Sequence, residues 1–88
     1  MNLLKKIRYI QKTILEIMAQ LNLSVNKEPN FKNLATILHD NNLINEKYYQ
    51  EIIKLDSVDN RELEGSKSLN IVLNDIQLYL EMQFYHYI

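Results

Sequence analysis

Leu3, Ile7, Ile10, Ile14, Ile17 and Leu21 recur at spacings of four, three, four, three and four residues. That spacing aligns six aliphatic side chains on one stripe of an α-helix of about 20 residues. Leu4, Leu15 and Met18 widen the stripe, while Lys5, Arg8 and Lys12 lie off it. The polar stretch NLSVNKEPN then interrupts the pattern. Pro29 within it suits the first turn of a new helix, where its fixed φ fits and its missing N–H costs nothing. Phe31, Leu34, Ala35 and Leu38 outline a shorter second helix ending at HDNN, where asparagine tolerates the left-handed conformation. Asn45 reads as the next N-cap, with Glu46 favourable at the positive end of the helix dipole. Ile44 and Tyr49 are spaced for a hydrophobic staple across that cap. Tyr49, Ile52 and Ile53, with Leu55 or Val58, carry the apolar face of the third helix.

Gly65 ends that region, and Ser66 or Ser68 caps a fourth helix running close to Ile88. This last helix is over-supplied with apolar residues. Leu69, Val72, Leu73, Ile76, Leu80 and Phe84 form one stripe, and Ile71, Leu78, Met82 and Tyr85 form a second. A bundle core uses one stripe of each helix. Either the fourth helix is central, or its second side is buried against another chain. One glycine and one proline leave little material for strands or hairpins. The pattern predicts an all-α protein, a compact four-helix bundle, as a single helical domain over residues 1–88.

Eighty-eight residues support only a modest core, so stability is expected to be small or shared with a partner. A hydrophobic content of 47% with 24% charged residues fits a folded chain rather than a disordered one. The chain has no cysteine, hence no disulfide and no thiolate chemistry, which suits the cytoplasm. The N-terminal stretch lacks an unbroken apolar segment and a small-residue cleavage site, so it does not read as a signal peptide. No run approaches the ~20 apolar residues of a membrane span. Net charge is −1, but residues 1–44 hold six Lys/Arg against three Asp/Glu, and residues 45–88 hold four against eight. That polarity can steer a partner and is too weak to require nucleic acid.

The inventory for catalysis is thin. His39 and His86 stand far apart and in no metal-ligand spacing. His39, before Asp-Asn-Asn, reads as a helix C-terminal residue favourable with the dipole rather than as a base. His86, between Tyr85 and Tyr87, reads as amphipathic surface or interface. There is no glycine-rich phosphate loop and no serine in a nucleophile elbow. No catalytic residue, metal site, cofactor or small-molecule ligand follows from the sequence, and the expectation is a non-enzyme. Nucleic-acid binding is an alternative, through Lys5, Arg8 and Lys12. Against it, the second helix of the helix–turn–helix opens NEKYYQE in the acidic half, where a DNA reader presents basic or amide side chains.

The order of features, a long first helix with IRYIQKTILE, then LATILHDNNLI, then IIKLDSVDN, EGSKS and a final apolar helix, resembles the HEPN superfamily of small all-α domains. The likeness covers about residues 31–80. It implies a bundle of the kind found in bacterial toxin–antitoxin and defence systems. Ribonuclease members carry an arginine, a polar residue and a histidine a few positions on. Those positions fall here on Asp59, Asn60 and Glu64, followed by Gly65, so the two catalytic residue types are replaced. Cleaving RNA through its 2′-hydroxyl needs a proton shuttle and a cation for the phosphate, and two carboxylates would repel it. The resemblance therefore implies a catalytically degenerate member. A divergent ribonuclease is the second alternative. The segment Asp59-Asn60-Arg61-Glu62-Leu63-Glu64-Gly65 then reads as a helix end kept for shape and solvation, or as an acidic contact made by Asp59, Asn60, Glu62 and Glu64. An ordinary exposed turn has the same composition.

The sequence thus leads to an interaction protein that binds another protein, with a homodimer as one form. An antitoxin, immunity or anti-defence inhibitor of bacteria or their mobile elements fits the size and the missing chemistry. Ile71, Leu78, Tyr79, Met82 and Tyr85 are the expected interface, with core packing as the competing role for Tyr79, Met82 and Tyr85.

Overall fold

The computed structural model describes residues 2–88. Among them are four α-helices and no strand: α1 (Leu3–Gln20), α2 (Phe31–Asp40), α3 (Glu46–Ile53) and α4 (Lys67–Gln83). Short 3₁₀ turns occupy Lys54–Ser57, Glu62–Glu64 and Tyr85–Tyr87. The radius of gyration is 12.5 Å, close to the ~12 Å expected of one compact body of this length. The all-α helical bundle expected from the sequence is what forms.

Each helix starts and stops for a local reason. Asn2, Asn30, Asn45 and Ser66 sit at the four N-caps, and each side-chain oxygen accepts from a backbone N–H of the first turn. Asn22 and Asn42 adopt φ 57° just past α1 and α2. In both places the next residue's N–H donates five positions back, Leu23 to Met18 and Leu43 to Leu38, at 2.9 Å. These are Schellman endings, with asparagine supplying the left-handed residue that glycine more often provides. The cap near HDNN was expected; its twin at Asn22 was not. Pro29 lies one residue before the cap of α2 rather than in its first turn, because Asn30 takes the cap. The Pro29 carbonyl instead accepts from the Gln11 amide at 2.6 Å. The third helix ends at Ile53 and tightens into the 3₁₀ turn 54–57, where Leu55 is buried and Val58 beyond it half-buried.

One core serves all four helices. Ile10, Ile14, Ile17 and Met18 of α1 meet Leu34 and Leu38 of α2, Ile52 of α3, and Leu73, Ile76 and Leu80 of α4. Phe84, just past α4, is also buried. Leu63 of the 59–65 segment and Tyr48, Tyr49 and Val72 pack against its margin. Among the described residues no buried side-chain nitrogen or oxygen lacks a hydrogen-bond partner. Lys6 clasps α1 to α4, donating to the Asn70 and Asn74 side-chain oxygens at 2.6 and 2.7 Å.

The most consequential polar contact comes from Asp56. Its two carboxylate oxygens accept from the backbone N–H groups of Phe31 (2.9 Å) and Lys32 (2.8 Å), while Asn30 accepts from Asn33 (2.8 Å). The first three amides of α2 are therefore satisfied, two of them by a residue 25 and 24 positions downstream. Asp56→Ala should lower unfolding stability by about 1–2 kcal/mol, as N-cap and helix-dipole losses do. Asp56→Asn, which keeps one acceptor, should fall between the two, and urea denaturation of the three proteins measures the order.

Candidate protein-binding face

Helix α4 is apolar on two opposite sides. The inner side buries Leu69, Leu73, Ile76 and Leu80. Side chains two positions apart on a helix point ~200° apart, so Leu78 projects directly away from Ile76. Ile71, Leu78 and Met82 form an outer ridge and are 67, 55 and 69% exposed; α4 ends at Gln83, short of the expected end near Ile88, so Tyr85, 66% exposed, lies in the 3₁₀ turn beyond the helix. Helix four is thus not central: one stripe closes the core and the other faces outward. Of the five expected contact residues, Ile71, Leu78 and Met82 share the ridge, and Tyr85 lies just past its end. Tyr79 stands apart from it, half-buried between α4 and α3.

Tyr79 belongs to a stack that ties α3 to α4. Its ring lies on that of Tyr48, with centroids 3.7 Å apart and planes at 7°, and its hydroxyl accepts from the Asn45 N–H at 3.2 Å. The Tyr48 hydroxyl donates to Asp75 Oδ1 at 3.0 Å. Lys47 Nζ lies 3.6 Å from Asp75 Oδ2 and 4.9 Å from the Tyr48 ring centre. Asp75 stands on the ridge line between Ile71 and Leu78, so the ridge's one charged side chain is already engaged on both oxygens. A shallow hollow lined by Tyr48, Asp75, Leu78, Tyr79, Met82 and Gln83 flanks the ridge.

The other expected groups are placed differently. Asp59 Oδ1 accepts from the Glu62 N–H at 3.0 Å, and Gly65 closes the segment at φ 137°. Residues 59–65 are thus a self-capped turn between α3 and α4, not the end of a helix. Asn60 and Glu64 are exposed and Glu62 is half-buried. Among the described residues no group of three or more His, Asp or Glu could hold a metal. Lys5, Arg8 and Lys12 are exposed on one face of α1, with Tyr9 beside them 43% exposed. His39 stacks on Tyr49 (4.4 Å) and its Nε2 lies 2.8 Å from Glu46 Oε2, bracing the α2–α3 corner. His86 is exposed, its ring tilted against Tyr85. Among the described residues no helix is long and apolar enough to cross a membrane.

Two groups of the Tyr48 stack titrate away from their ordinary values. Burial pushes the Tyr48 phenol up, the hydrogen bond to Asp75 and that carboxylate's charge add to it, and Lys47 opposes. The Lys47 ammonium is also held up, first by the Tyr48 phenolate and then by Asp75. A raised folded-state value contributes stability that is complete below the unfolded value and is lost as pH rises through the folded one. The Tyr48 contribution and Asp75's share of the Lys47 one are therefore present at neutral pH and are lost in the alkaline range above about pH 10, while the phenolate's hold on Lys47 arises only once Tyr48 has ionised. In an ultraviolet phenolate titration, Asp75→Asn should shift the Tyr48 component, identified by subtraction of Tyr48→Phe, to lower pH. The same variant should lose less stability than the wild type between neutral and alkaline pH, because its folded values lie closer to the unfolded ones. Compared with protein-family models, curated proteins and solved structures, the chain finds no match.

Proposed function

We propose that this chain is a non-catalytic interaction protein that binds another protein chain through the outer ridge of α4. The observation that carries the reading is the ridge itself: three large apolar side chains of α4, each more than half exposed and aligned opposite a complete core, with exposed Tyr85 in the turn just beyond. Exposed apolar patches on a folded domain, especially when rimmed by polar residues, mark interaction sites. Methionine on that ridge and tyrosine just past its end are residue types enriched in interfaces. The small size and the mixed, weak charge suit a cytoplasmic accessory protein of bacteria or their mobile elements, such as an antitoxin, an immunity protein or an inhibitor of a defence complex. In that reading the HEPN-like order of helices is a scaffold retained without chemistry, Asp59 and Glu64 standing where the family's arginine and histidine would act.

A tagged chain, passed through a nuclease-treated lysate, tests this. Replacing Met82 and Tyr85 by Lys should abolish protein capture while leaving the far-ultraviolet circular dichroism unchanged, since neither side chain is in the core. Capture that survives the double substitution would overturn the reading. Capture that requires intact nucleic acid, and that weakens steeply with salt, would move function to Lys5, Arg8 and Lys12.

A further inference from the structure

We draw no further inference here: the strongest candidate, the outward apolar face of α4 formed by Ile71, Leu78 and Met82, carries nothing beyond the reading above, because nothing in the structure shows what covers it.

Discussion

Ten residues of helix do not hold together alone in water: nucleation is costly and isolated helices of that length are marginal. Helix α2 is ten residues long, and it supplies Leu34, Ala35 and Leu38 to the middle of the core. The Asp56 carboxylate, placed on its first two amides, makes this segment a helix that the rest of the chain can pack on. Asp56 is itself held by the 3₁₀ turn that follows α3, so the N-terminus of α2 is complete only when α3 has docked beside it. The His39–Glu46 pair and the His39–Tyr49 stack brace the opposite end of the same hairpin. Helices α2 and α3 thus stabilise each other at both ends, and α1 and α4 close over the hairpin that results.

Much of this was legible in the chain because the information is local. The 4-3-4-3-4 stripe of α1, the inner stripe of α4 and the caps at Asn45 and Ser66 rest on residues a turn or two apart. The contacts that joined elements were not legible. Asp56 looks like one more surface acid, and nothing within five residues of it indicates an amide pair 25 positions upstream. Lys6 resembled its neighbours Lys5 and Arg8, yet it reaches two asparagines of α4. Pro29 gave a helix start two residues too early, since an asparagine cap on its C-terminal side outcompetes it.

The role of the second stripe of α4 was undecidable from composition, because both stripes carry large apolar residues. Lengths decide it. Helices α2 and α3, at ten and eight residues, cannot sheathe both sides of a 17-residue helix, and α1 covers only one. Tyr79 shows the same limit on a smaller scale. It is an interface residue type on an interface helix, but its position on the flank gives it to Tyr48 instead.

The Lys6 clasp joins residues 64 and 68 positions apart, whereas the Asp56 cap spans 25. Loop-closure entropy rises with that separation, and local contacts form ahead of distant ones. The hairpin of α2 and α3 is accordingly the inexpensive closure, and pairing of α1 with α4 is the late one. A chain caught between the two steps carries α4 with both apolar stripes uncovered at once. Such a half-closed chain is the form most prone to coalesce with others, so the two asparagines gripping Lys6 guard solubility as much as shape.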